Sequence, residues 1–227
     1  MNRAVAVFGG TFDPVHFGHL RSALELCDVL PLAELRFMPA AEPPHREAPV
    51  AAAAHRVAML ELATAGESRF RVDERELRRA GPSYSVLSLR ELRAELGADV
   101  PLLMIVGADA LAGLESWYCW EEILDLAHIL AIARPGWDWP DSGSVATLLG
   151  KRGAPAEQLR QLPAGRVCVE ALRPQSVSST AIRRLLQSRR SARYLTPDSV
   201  IDYIDRHGLY EPAANAAVTE SAQATQE

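Results

Sequence analysis

Cysteine is scarce in this chain of 227 residues, and its three copies, Cys27, Cys119 and Cys168, are scattered. That argues against a disulfide framework or a cysteine-built metal site and fits a reducing compartment. No apolar run approaches the length of a membrane span, and Met1-Asn2-Arg3 leads straight into an apolar segment without a secretory-signal pattern. A cytoplasmic location with no membrane partner is expected. Two common phosphate cradles are missing as well: the chain contains neither Gly-x-x-x-x-Gly-Lys-Ser/Thr nor Gly-x-Gly-x-x-Gly. An excess of basic charge is also absent, because the formal net charge is −5. Arg173, Arg183, Arg184, Arg189, Arg190 and Arg193 do gather late in the chain, but no aromatic residue is interleaved among them. One small phosphorylated molecule is therefore a better partner than a nucleic acid.

What is present is a regular alternation. Apolar runs of strand length stand at Ala4 to Phe8, Leu35 to Met38, Phe70 to Val72, Leu102 to Val106, Ile129 to Ala133 and Arg166 to Val169. Helical periodicity lies between and after them, around His19, Met59, Leu89, Leu124, Leu185 and Ile201. Strands alternating with helices predict an α/β domain with a parallel sheet covered by helices. Hydrophobic residues make up 48% of the chain, enough for one full core. One domain over residues 1–211 is expected. Residues 212–227 have no firm apolar face and read as a disordered tail, and Gly136 to Gly153, rich in Gly, Pro, Ser and Trp, as a connection with little regular structure.

The most informative segment is Gly9-Gly10-Thr11-Phe12-Asp13-Pro14-Val15-His16-Phe17-Gly18-His19, between the first strand and a helix expected over Phe17 to Leu30. Glycines allow a sharp turn and close approach of the backbone to a ligand, Thr11 offers a hydroxyl, and Pro14 stiffens the loop. A helix start presents amide N–H groups without intrahelical partners and the positive end of the dipole, which suits an anion. His16 and His19, three residues apart, share a face. The pair could be half of a metal site, but no second His-x-x-His or Cys-x-x-Cys exists. It could also be structural, one ring capping and one packed. The Gly-Gly turn favours phosphate. Fixed donors at this place suit a nucleotidyl transfer, in which charge builds on phosphate oxygens.

A second candidate opens at Ser178-Ser179-Thr180-Ala181-Ile182-Arg183, with Ile182, Leu185 and Leu186 at helical spacing. By itself Ser-Ser-Thr is a helix cap. With Arg183 on the first turn, the hydroxyls, free amides and guanidinium together make a clamp for a polyphosphate.

The first turn after the first strand and the second after the last strand together resemble the nucleotidylyltransferase superfamily. Within it the chain is similar to the bacterial nicotinate-nucleotide adenylyltransferases. Intermediate signatures carry that narrower likeness: Pro43-Pro44-His45-Arg46, Ser83-Tyr84-Ser85, Val106-Gly107-Ala108-Asp109, Trp117-Tyr118 and Arg134-Pro135-Gly136. The resemblance runs from about residue 3 to Tyr210 and implies a Rossmann-like doubly wound sheet with helices on both faces. It implies transfer of the adenylyl group of ATP to nicotinate mononucleotide, with release of pyrophosphate, on the route to NAD. His16, His19 and Arg183 would be catalytic. Gly9, Gly10, Thr11, Phe12, Gly107, Asp109, Arg134, Ser178, Ser179 and Thr180 would bind ATP, with Gly107 and Asp109 against its ribose. His45, Arg46, Ser85, Trp117 and Tyr118 would bind the nicotinate nucleotide. Mg²⁺ would be held through the ATP phosphates rather than by a carboxylate cage.

Each of these middle motifs also has a plainer reading. Trp117 could be a core or lid residue, Gly107-Ala108-Asp109 a turn after a buried strand, and Pro43-Pro44 a stiff surface loop. Ser85 stands where the family usually has Thr, and Arg46 where Lys is frequent; hydroxyl and charge are retained. Ala40 and Ala41 sit in a loop where some relatives carry Asn, so any contact there comes from backbone; Leu87 stands where Asp is frequent, and no role is assigned to it. Two alternatives complete the field: an adenylyltransferase acting on phosphopantetheine or nicotinamide mononucleotide, and a nucleotide-binding regulator that keeps the fold without the transfer.

Overall fold

The computed structural model describes residues 4–43, 48–133, 142–173 and 176–212. Its centre is a parallel sheet of six strands: β1 (Ala4–Gly10), β2 (Leu32–Pro39), β3 (Phe70–Val72), β4 (Leu102–Gly107), β5 (His128–Ala133) and β6 (Val167–Ala171). Their order is β3-β2-β1-β4-β5-β6, every neighbouring pair parallel. The chain winds outward from β1 in one direction, then returns to start again at β4. The order therefore reverses between β1 and β4, where an open α/β sheet leaves a crevice beyond its carboxyl ends.

Strand alternation explains the two layers of core. In β1, Ala4 and Ala6 face one side with Leu35, Phe37, Leu103, Ile105 and Leu130, whereas Val5 and Val7 face the other with Leu102, Met104, Ile129 and Ala131. The first layer is closed by α1 (Phe17–Val29) through Ala23 and Leu26, by α2 (Ala53–Thr64) through Met59 and Leu60, and later by α9 (Asp198–His207) through Val200 and Ile204. The second is closed by α4 (Ser85–Leu96) through Val86, Leu89 and Leu92, and by α6 (Trp120–Leu126) through Ile123 and Leu124. Apolar residues buried on both sheet faces are the reason the strands read as continuous runs.

Two short helices, α3 (Arg75–Arg78) and α5 (Ala108–Ala112), carry too few residues for a readable period. The described part of the connection expected to lack structure instead contains α7 (Ser144–Arg152). That corrects the sequence reading. Val145, Leu148 and Leu149 recur at helical spacing and pack on the second layer, while Gly143 at φ +90° opens the helix and Gly153 closes it. The last long helices are α8 (Ser179–Gln187) and α9. Apart from Pro212, the expected tail lies outside the described residues.

Phe37 is fully buried on β2 and meets Phe70 edge-on at 5.2 Å and Phe12 at 5.7 Å, which links the sheet to the loop after β1. Replacing Phe37 by Ala is expected to cost about 3–5 kcal/mol of unfolding free energy in urea titrations.

Candidate functional site

The site is assembled around the loop from Gly9 to His19. Gly9, next to last in β1, has open space where a Cβ would stand, as does Gly107 at the end of the neighbouring β4. A ligand can therefore approach both backbones. Phe12 follows in the left-handed region at φ +49° with its ring buried, in edge contact with Phe8 and, at 4.9 Å, with His19. Any contact of Phe12 with a ligand falls to its backbone.

Asp13 is buried, at 3% exposure, and its carboxylate is the hub of the loop. Oδ1 accepts from the Tyr210 hydroxyl at 2.6 Å and from the Ala51 amide at 3.1 Å; Oδ2 accepts from the Val50 amide at 2.7 Å. The buried Arg56 guanidinium donates to Thr11 O at 2.8 Å and Ala51 O at 3.2 Å. Burial pulls the Arg56 guanidinium down, and the neighbouring Asp13 charge opposes that shift. A buried carboxylate is tolerable because donors and cations replace its water.

The second motif arrives at the same loop. Ser178 caps α8, its hydroxyl oxygen accepting from the Ala181 amide at 3.2 Å, as the cap reading requires. Ser179 donates its hydroxyl to Pro14 O at 2.9 Å, and Arg183 donates to Asp13 O at 2.6 Å while its other terminal nitrogen stands 3.4 Å from Thr180 Oγ1. Ser179 therefore spends its hydroxyl proton on the loop. Thr196 donates to Val15 O at 2.8 Å, and the Phe17 amide donates to Leu195 O. Two turns separated by most of the sequence thus meet at hydrogen-bond distance, with the first turn of α8 beside the start of α1.

His16 precedes α1 in an extended conformation, and its ring stacks on that of His19 with centroids 3.7 Å apart and planes 20° from parallel. Gly18 permits this: a Cβ there would stand 2.9 Å from the His16 ring. His16 is buried, which pulls its imidazole from 6.5 down to about 4, so the ring is neutral at pH 7. The Phe17 amide is taken by Leu195 O and that of His19 by His16 O, which leaves the Gly18 amide and the helix dipole at the start of α1. Among the described residues, the site combines backbone amides, the neutral His16 ring and the His19 ring with the guanidiniums of Arg56 and Arg183.

The middle motifs border the same end of the sheet. The Ala40 amide donates to Gly10 O, and the Ala41 amide donates to Ser83 Oγ at 2.9 Å, so the loop after β2 joins β1 to the segment before α4. Ser85 is the first residue of α4, and Tyr84 before it stacks on Tyr118 at 4.6 Å, bringing the Ser85 and Trp117 segments together. Trp117 is half-buried against the second core layer, and Asp109 is exposed on the first turn of α5. His45, Arg46 and Arg134 lie outside the described residues. Among those described, no group of three or more His, Cys, Asp or Glu is arranged to hold a metal, and no helix is long and apolar enough to cross a membrane.

Sequence reasoning passed over Asp13 as a functional residue, and missed Arg56, Thr196 and Tyr210 altogether. Asp13 sits inside the recognised turn, but nothing local announces its partners. Arg56 had one available signal, a charge at a position of α2 that faces the core.

The architecture and the paired helix starts define a nucleotide-handling α/β domain, and similarity to known proteins narrows the class. Residues 7–185 match the model of the cytidylyltransferase-like family. The chain is 47% identical over 210 residues to a Pseudomonas aeruginosa protein named "Probable nicotinate-nucleotide adenylyltransferase", covering 92% of this chain and 98% of that one. It is 47% identical over 211 residues to a Cellvibrio japonicus protein of the same name, covering 92% of this chain and all of that one. A Plasmodium falciparum nicotinic acid mononucleotide adenylyltransferase complexed with NaAD has the same fold, with a TM-score of 0.68 at 16% identity over 92% of this chain and 97% of that one. The chain belongs to the cytidylyltransferase-like family, among its nicotinate-nucleotide adenylyltransferases.

Unfolding should return the His16 imidazole to its ordinary value, and with it His128, which burial also pulls down. Between the folded and unfolded values the unfolded chain binds more protons, so stability is present above about pH 6.5 and is lost as pH falls toward about 4. In urea titrations, the stability lost between about pH 7.5 and 5 is expected to shrink by about 2 kcal/mol in His16→Asn.

Proposed function

We propose that the protein transfers the adenylyl group of ATP to nicotinate mononucleotide, giving nicotinate adenine dinucleotide and pyrophosphate, in NAD biosynthesis. The observation that carries this reading is the docking of Ser179 and Arg183 of α8 on the backbone of Asp13 and Pro14, which joins two phosphate turns into one site. The names of the close relatives support the choice of acceptor.

The acceptor phosphate attacks the α-phosphorus of ATP, a new P–O bond forms, and the bond to the β-phosphate breaks as pyrophosphate departs. A phosphate monoester is largely dianionic at neutral pH, since its second pKa is about 6, so no side chain is needed as a general base. His16 and His19 donate to the phosphate oxygens where charge develops, and His16 does so as a neutral ring held by burial. Arg183, with the Ser178, Ser179 and Thr180 turn and its amides, binds the β- and γ-phosphates and steadies the departing pyrophosphate. Gly9, Gly10, Thr11 and Phe12 contribute backbone to the polyphosphate, and Gly107 and Asp109 meet the ATP ribose, with Arg134 on the same substrate. Trp117 stacks on the pyridine ring, while the Ser85 hydroxyl and amides near Ser85 and Tyr118 pair the carboxylate; a carboxamide would set N–H against N–H there. His45 and Arg46 complete the acceptor wall.

Mg²⁺ would be held through the phosphates of ATP in this reading, and when bound it would supply positive charge that offsets theirs. The donor set fits that arrangement, being made of amides, imidazoles and a guanidinium. The reading places the reaction in one domain over residues 1–211, in the cytoplasm, with small-molecule partners and no nucleic acid.

Pyrophosphate release should be measured with ATP, Mg²⁺ and, side by side, nicotinate mononucleotide, nicotinamide mononucleotide and phosphopantetheine. A strong preference for the first is expected, and His19→Ala should lower kcat by at least about a hundredfold with its melting temperature nearly unchanged. Preference for another acceptor would overturn the substrate, and ATP binding without release from any acceptor would leave a nucleotide-binding regulator.

A further inference from the structure

The chain returns after α9 to the loop it left near its start. Gly208 turns the backbone in the left-handed region, and Tyr210, itself at φ +63°, enters the first core layer with 6% exposure. Its hydroxyl reaches Asp13 Oδ1 at 2.6 Å across 197 residues of sequence. That bond has a consequence for Arg183. The guanidinium donates to the backbone oxygen of Asp13, and its Nη1 also stands 3.8 Å from Asp13 Oδ2, a long ion pair. Oδ2 is held by the Val50 amide and Oδ1 by Ala51 and Tyr210, so the carboxylate is both oriented and largely satisfied by neutral donors. Without the phenol, Oδ1 would keep one donor, and Arg183, whose Nη1 already stands 3.8 Å from Oδ2, is a cation able to supply the missing interaction.

We propose that Tyr210 is a positioning residue for the adenylyl transfer: its hydroxyl occupies Asp13 and thereby keeps Arg183 from closing onto that carboxylate, leaving the guanidinium for the phosphates of ATP. This rests on the function proposed above, and it gives the segment after α9 a part in substrate binding. A plain structural role for Tyr210 would lower stability and leave the balance between the two substrates untouched.

The test is Tyr210→Phe, which removes one oxygen and keeps the ring. Its kcat/KM for ATP is expected to fall by about tenfold while KM for nicotinate mononucleotide changes by less than about twofold. In NMR spectra of the unliganded protein, rotation of the Arg183 guanidinium should slow relative to wild type as the ion pair closes. ATP and acceptor parameters that fall together, or that both stay unchanged, would overturn the role, as would loss of the folded state. The Arg183 signal does not depend on turnover. An unchanged signal in a variant of an active enzyme overturns this proposal alone, whereas a slowed signal in a wild type background without transfer activity would overturn the function and keep the Tyr210–Arg183 coupling.

Discussion

A single buried carboxylate organises the loop on which the site depends. Asp13 draws in the Val50 and Ala51 amides that precede α2 and the Tyr210 hydroxyl that follows α9, and its own backbone oxygen receives Arg183 from α8. Taking such a charge out of water is costly, and only well-placed donors offset that cost. Hydrogen bonds to a charged group contribute about 1.5–3 kcal/mol each, against about 1 for neutral pairs. Segments from the first and last quarters of the chain are thereby fixed relative to the end of β1. The loop does not hold its shape alone; four other stretches of chain, at 50–56, 179–183, 195–196 and 210, hold it.

Electrostatics at the site follow from that burial. His16 is drawn under the loop and loses its proton at neutral pH, and the 3.7 Å stack with His19 would be repulsive if both rings were charged. Among the described residues, positive potential at the loop comes instead from the starts of α1 and α8 and from Arg56 and Arg183. Such fixed dipoles need little reorganisation when charge moves along a polyphosphate, which is what a transfer between phosphates requires. Apolar contact supports the arrangement from below: Phe8, Phe12, Phe37 and Phe70 run from β1 through the loop to β3 in edge or tilted contacts.

Much of this was legible in the sequence because it is periodic or local. All six strands fall on the apolar runs, differing mainly at their ends: β2 begins at Leu32, three residues before the expected start, and β6 extends to Ala171. The six anticipated helical patterns all correspond to helices, and the turn from Gly9 to His19 between β1 and α1 was visible from its glycines and histidines. α7 escaped because Gly, Pro, Ser and Trp around it weigh toward a loop, although its own residues carry an apolar face. The Asp13 hub escaped for a different reason. Its partners are single polar groups 37 to 197 residues away, and no spacing rule connects a tyrosine near the end of the chain to an aspartate near its beginning. Nor did the sequence show how the second motif is engaged within the fold: Ser178 caps α8, while Ser179 and Arg183 donate to the backbone of Pro14 and Asp13.

The unfolding free energy of Asp13→Asn, measured in urea at neutral pH, tests this account most directly, because the change keeps the shape of the side chain and removes its charge. A loss of about 3 kcal/mol or more is predicted, since Arg56 and Arg183 would face an uncharged group and one amide acceptor would become a donor. Stability equal to wild type would contradict it and leave the loop to be held by its apolar contacts alone.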